Sequence, residues 1–134
     1  MKTVLKIAVA VVAVLLAIGS ILGAFYFTFP REILTFPISF TIGADVKREP
    51  MEVPFMNDRV MVEVVINSGS ALWTARIFNG DECVWLHYGA QGGQTTYNSG
   101  WLHISSGLYN FSFATAGAGS LSAEITVTSK GGFW

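Results

Sequence analysis

An N-terminal transmembrane α-helix followed by an antiparallel β-sandwich or jelly roll of about seven to eight strands is the fold class that the sequence predicts. Three observations lead to it. An uncharged, apolar run fills residues 7–30, apolar and polar residues alternate in most later segments, and short clusters of Gly, Asn, Ser and Asp separate those segments. With 134 residues in all, the chain beyond the helix is about 100 residues long, an ordinary size for one sandwich domain. The expected organisation is therefore a cytoplasmic N-terminus at 1–6, a membrane anchor at 7–30 and an extracytoplasmic β-sandwich at 31–134.

The anchor follows from length and charge. As a helix, residues 7–30 would extend about 36 Å, enough for a hydrocarbon core of roughly 30 Å. Lys2 and Lys6 precede the run and favour a cytoplasmic N-terminus, whereas Arg31 next to Glu32 adds little opposing charge on the far side. Phe25, Tyr26, Phe27 and Phe29 cluster at the outer end, where Tyr suits the headgroup region, and Pro30 stops the helix. The competing reading is a cleaved signal peptide. Its apolar core would be only about 7–15 residues with a small-x-small cleavage site, and Ala17-Ile18-Gly19 is a weak match.

The strands follow in order. Leu34, Phe36, Ile38, Phe40 and Ile42 share one face, and Pro37 on the other cannot donate to a ladder, which predicts an edge strand over 34–42. Val60, Val62, Val64 and Ile66 form a second buried row, closed by the turn signal at 67–70. Residues 71–78 make a third strand ended by Asn79-Gly80-Asp81, whose Asn-Gly pair suits a type I′ turn. Residues 83–88 are a fourth, broken by the loop 89–93, and 95–104 holds one or two strands around Asn98-Ser99-Gly100. Tyr109, Phe111 and Phe113 share a face of the next strand, as do Leu121, Ala123, Ile125 and Val127 of the last.

This closing pattern, residues 106–113, a glycine-rich turn and then 123–127, resembles the last hairpin of the GOLD and bacterial pre-peptidase C-terminal domains, and of the cupredoxins. The resemblance covers about 25 residues and implies a small extracellular β-sandwich. In a cupredoxin this strand would end in a copper-ligating Cys followed by His and Met. Here Phe113 holds that position and residues 114–120 contain neither His nor Met, so no copper site of that kind is implied.

Other chemistry is sparsely represented. His87 and His103 are the only histidines, and Cys83, four residues from His87 on one strand, would stand about 13 Å from it. No metal or organic cofactor is therefore expected. Serines are frequent, but none lies in a Gly-x-Ser-x-Gly context, and the loop 89–93 lacks the Lys of a phosphate loop. No enzymatic activity is expected. The lone cysteine, Cys83, has no internal disulfide partner and, flanked by bulky residues, is expected to be a buried thiol. Asn110-Phe111-Ser112 is a glycosylation sequon, with Asn110 pointing away from the aromatic face.

The distribution of charge is the most informative feature. Eight charged residues fall between Asp45 and Glu63, but only Glu124 and Lys130 are charged from Cys83 to Trp134. With six basic and nine acidic residues beyond the anchor, there is no basic patch for nucleic acid. A charge-poor half rich in Tyr and Trp has the composition of an interface. The interaction residues this points to are Trp101 and Tyr97, together with Phe133 and Trp134 at the C-terminus, two large aromatics expected to dock. The reading is a membrane-anchored, non-catalytic structural or accessory subunit whose partners are the lipid bilayer and other protein subunits or further copies of itself. Two alternatives are a glycan- or peptide-binding module stacking its ligand on Trp73, Trp85, Trp101 or Tyr97, and a filament subunit donating strand 34–42 to a neighbour.

Overall fold

The computed structural model describes residues 2–40, 45–69, 72–90, 95–116 and 120–131. One helix, α1 (Lys2–Thr28), leads into eight strands: β1 (Arg31–Phe40), β2 (Asp45–Val53), β3 (Arg59–Gly69), β4 (Leu72–Asn79), β5 (Glu82–Ala90), β6 (Thr95–His103), β7 (Gly107–Ala116) and β8 (Leu121–Lys130). The helix begins before Lys6, since its first residues are compatible with helix. It ends at Thr28 because Pro30 forces Phe29 out of the helical region. Its flanks from Lys2 to Leu22 are exposed, and by length and composition it is long and apolar enough to cross a membrane.

The strands form two antiparallel four-stranded sheets, ordered β1-β8-β3-β6 and β2-β7-β4-β5. Apart from the β4–β5 hairpin, every connection passes from one sheet to the other, which is the connectivity of a jelly roll. The inner faces carry the rows that alternation predicts. Phe36, Ile38 and Phe40 of β1, Val60 to Ile66 of β3 and Leu121 to Val127 of β8 face Trp73, Ala75 and Ile77 of β4 and Phe111 and Phe113 of β7. Phe36 meets Phe111 edge-on at 5.8 Å, while Phe113 stacks on both Phe40 and Trp73. β1 is an edge strand, as Pro37 requires.

Two local features differ from the sequence reading, and a third shows which of its two readings of 95–104 holds. β2 was not expected from its charged sequence; its Met51 and Val53 are buried while Lys47, Arg48 and Glu49 lie along an edge, where charge and Pro50 discourage further pairing. The segment around Asn98-Ser99-Gly100 is a bulge within one strand: Met61 pairs with Trp101 and Glu63 with Asn98. The Ser99 hydroxyl there accepts the Val62 N–H at 2.9 Å, and Gly100 takes φ +69°. The β4–β5 turn sits one residue later than the Asn-Gly pair suggested. Asn79 pairs with Glu82, so Gly80 and Asp81 form the turn, and positive φ at Gly80 but not at Asp81 fits a type II′ geometry.

Helix and domain meet in a polar clamp. Thr28, Asn57, Ser129 and Gly131 are buried together at the start of the sandwich. The Asn57 side-chain amide donates to the carbonyl of Phe27 at 2.5 Å and to that of Phe55 at 3.1 Å, while its Oδ1 accepts the Ser129 hydroxyl at 3.2 Å. The Gly131 N–H donates to the Thr28 carbonyl at 2.8 Å, so a helix-end carbonyl that has no partner within α1 finds one in the domain.

Candidate functional site

β5 and β6 are the edges of opposite sheets, and four ring systems bridge the gap between them. Trp85 and His87 project inward from β5, Tyr97 from β6 and Trp73 from β4. His87 stacks on Tyr97 with centroids 3.8 Å apart and planes 15° from parallel. Trp73 lies 5.4 Å from His87 and 5.9 Å from Tyr97. Burial disfavours the charged imidazole, which lowers the pKa of His87, and disfavours the phenolate, which raises that of Tyr97. Gly89 makes the cluster compatible with β5, because a Cβ there would fall 2.0 Å from the Trp73 indole. The indole N–H of Trp73 is buried without an acceptor among the described residues.

These contacts decide which aromatics can receive a ligand. Trp73 is only 2% exposed and is a core residue, not a stacking platform. Tyr97 is covered by His87 and Trp73, and Trp85 packs against the core. Trp101 lies on the outer face of β6, where the Lys130 ammonium sits 4.4 Å from its ring centroid. Phe133 and Trp134 lie outside the described residues. Asn110 is exposed on β7 between buried Tyr109 and Phe111, as alternation requires.

Cys83 corrects the expectation of a buried thiol, for it is exposed. The register slips between Ile77, paired with Trp85, and Phe78, paired with Cys83. That bulge at Val84 moves Cys83 to the outer face beside Phe78, and its thiol donates to the Trp85 carbonyl at 3.2 Å. His103 pairs with Arg59 at the helix end, six residues along β6 from Tyr97 and its partner His87, roughly 17–20 Å at strand rise. No group of three or more His, Cys, Asp or Glu converges among the described residues.

Sequence reasoning missed the contrast between the four sheet edges. β1 carries Pro37, β2 carries Lys47, Arg48 and Pro50, and β6 is interrupted by its bulge. β5 is regular from 85 to 90, and Glu82 is its only charged residue. Its outward side chains Val84, Leu86 and Tyr88 are all exposed, and Leu72 of the adjoining β4 is exposed beside them. The signal was present in the alternation of 83–88, but only the strand order shows that this strand is an edge.

No family model matches the chain, and no curated protein matches it. Among solved structures, PirA superimposes with a TM-score of 0.51 at 12% identity, over 68% of this chain and 90% of that one. The pre-peptidase C-terminal domain of a Bacillus anthracis collagenase gives 0.46 at 14% identity, over 71% and 88%. A pilus structure from Bacillus endospore appendages gives 0.44 at 13%, over 78% and 90%. At these identities the likeness is one of fold. The chain is a jelly-roll β-sandwich joined to an N-terminal apolar helix.

Proposed function

We propose that this protein is a membrane-anchored, non-catalytic accessory subunit whose extracytoplasmic sandwich binds another protein along the β5 edge. The observation that carries the reading is that edge: a strand regular from 85 to 90, beyond its bulge at Val84, with Leu86 and Tyr88 exposed along it, on a domain whose other edges carry Pro37, the charged residues and Pro50 of β2, or a bulge at mid-strand. Such a strand offers unpaired N–H and C=O groups to an incoming strand, and its alternate side chains supply the specificity.

The occupant is a strand of a different chain. β5 begins at the helix end of the sandwich and runs away from it, so antiparallel pairing of two β5 strands would place their helices at opposite ends. Two copies anchored in one membrane cannot adopt that arrangement. The filament alternative draws no support from β1, which is hydrogen-bonded to β8 from Arg31 to Phe40 and fills its own core. The glycan alternative is weakened because Trp73 is buried in the core, Tyr97 is stacked against His87, Trp85 is partly buried against the core, and Trp101 carries the Lys130 ammonium over its ring. The non-catalytic reading is supported by the use of His87 in ring packing against Tyr97 and Trp73.

Size-exclusion of gently solubilised native membranes tests the proposal. The wild-type chain should migrate with a second polypeptide, and Leu86→Lys should release it with little change in melting temperature, since Leu86 is exposed on the outward face of β5. A wild-type chain that migrates as a monomer, or only with copies of itself, would sink the reading.

A further inference from the structure

We infer that the helix-proximal end of the sandwich is itself a lipid-contacting surface, with Phe55 and Met56 lying in the outer headgroup layer beside the aromatic end of α1. This rests on the reading of α1 as a membrane span.

The first argument is one of height. From Ile7 to Phe27 the helix rises about 30 Å, the thickness of the hydrocarbon core, so the outer headgroup layer begins near Phe27. β1 starts at Arg31, which leaves no spacer to lift the domain clear. The β2–β3 loop is fixed at the same level, because Asn57 donates to the Phe27 carbonyl and the Phe55 ring meets that of Phe27 edge-on at 6.0 Å.

The second argument is what this loop displays. The Asn57 N–H closes a turn onto the Pro54 carbonyl at 3.0 Å, and Met56 sits at its third position with φ +67°. That position favours Gly or Asn, and Met is strained there. The turn nevertheless holds Phe55, 69% exposed, and Met56, 41% exposed, away from the core. Two large apolar side chains on a strained turn are costly in water and favourable in the headgroup and acyl boundary.

The third is the surrounding surface. Phe25, Tyr26 and Phe29 are exposed on the helix end and, with Pro30 and Arg31, line an open apolar groove of about 480 Å³. A second groove of about 450 Å³ lies between Tyr26, Arg31, Glu52, Pro54 and Phe55. The Arg31 guanidinium packs over the Tyr26 ring and donates to the Tyr26 carbonyl, which places a cation at the level of the lipid phosphates. An aromatic collar with a cation at its rim matches the layered chemistry of a bilayer boundary better than the surface of a soluble partner.

The test uses the full chain with Cys83→Ser, reconstituted in phosphatidylcholine nanodiscs, with a nitroxide label attached singly at Phe55→Cys, Leu72→Cys or Val12→Cys. Accessibility to oxygen relative to a water-soluble nickel chelate reads depth. The ratio should be highest at position 12, intermediate at 55 and lowest at 72, which lies at the end of the sandwich away from the helix. A deep label at 12 with labels at 55 and 72 equally aqueous would overturn the inference and leave the anchor standing. An aqueous label at 12 would overturn both. A label at 55 shielded from both reagents, with broadening from a neighbouring label, would assign the surface to a second copy instead.

Discussion

A Cβ placed on Gly89 would lie 2.0 Å from Cε2 of Trp73, so the indole occupies the space that any larger residue on β5 would need. Gly89→Ala should therefore displace Trp73 from the His87–Tyr97 stack. The expected cost is about 1–3 kcal/mol, as for other overpacked cores. Chemical denaturation followed by tryptophan fluorescence measures it, and an unchanged midpoint would mean that Trp73 does not fill this space.

Replacing Trp73 itself separates its ring from its polar atom. Trp73→Phe keeps an aromatic against Phe113 and removes the unpartnered buried N–H, so the lost volume is partly offset by the relief of a desolvated donor. Its cost should stay below about 1.5 kcal/mol, whereas Trp73→Ala should cost about 3–5 kcal/mol. Equal losses in both variants would show that the indole N–H has an acceptor.

The clamp should be sensitive at Asn57 and Gly131. Asn57→Ala leaves the Phe27 carbonyl and the Ser129 hydroxyl without their partner and should cost about 1–3 kcal/mol. Gly131→Ala would bring a Cβ within 2.4 Å of the Thr28 Cβ and should also lower the melting temperature. Circular dichroism of the full chain in detergent reads both. A wild-type melting temperature in either variant would contradict the packing described.

Acid should weaken the domain through His87. Its pKa is lowered in the folded chain, so the unfolded chain takes up the proton first. This contribution is fully present above about pH 6.5, the ordinary histidine value, and is lost as the pH falls through the window below it. His87→Phe keeps a ring on Tyr97 and removes the titration. Between pH 7 and pH 5 the wild-type chain should lose more stability than the variant, and parallel losses would place the acid sensitivity elsewhere.

Cys83 gives a direct test of orientation. It is the only cysteine and it is exposed, so the native protein should react with one equivalent of a maleimide. On intact cells a membrane-impermeant maleimide should label it without lysis. Labelling that appears only after lysis, in a protein reactive when purified, would place the sandwich on the cytoplasmic side.

The sequence made the buried rows of β1, β3, β7 and β8 legible because those strands keep strict period-two alternation between a core and an outer face. It hid β2, whose inner residues Met51 and Val53 are few and whose edge is charged. It misplaced Cys83 because one bulged residue reverses the face of everything on its far side, and nothing local in 82–88 marks Val84 as that residue. Trp73 and Trp85 read as available aromatics from composition; only the ring packing across the gap between β5 and β6 shows that Trp73 is spent in the core and Trp85 is partly covered. Which strands are edges is a property of the jelly-roll order and is set by contacts between distant segments, so the open edge of β5 was beyond reach of any local pattern.

The clamp at Thr28, Asn57 and Gly131 ties the end of α1 to the sandwich through side-chain and backbone hydrogen bonds. Rotation of the helix about its long axis should therefore turn the domain with it, and, if α1 spans a membrane as proposed, each face of α1 corresponds to one compass bearing of the β5 edge around the membrane normal. A second helix that packed on a chosen side of α1 would by that act aim the edge in a set direction along the membrane plane. On that reading the helix is a steering column as well as a tether.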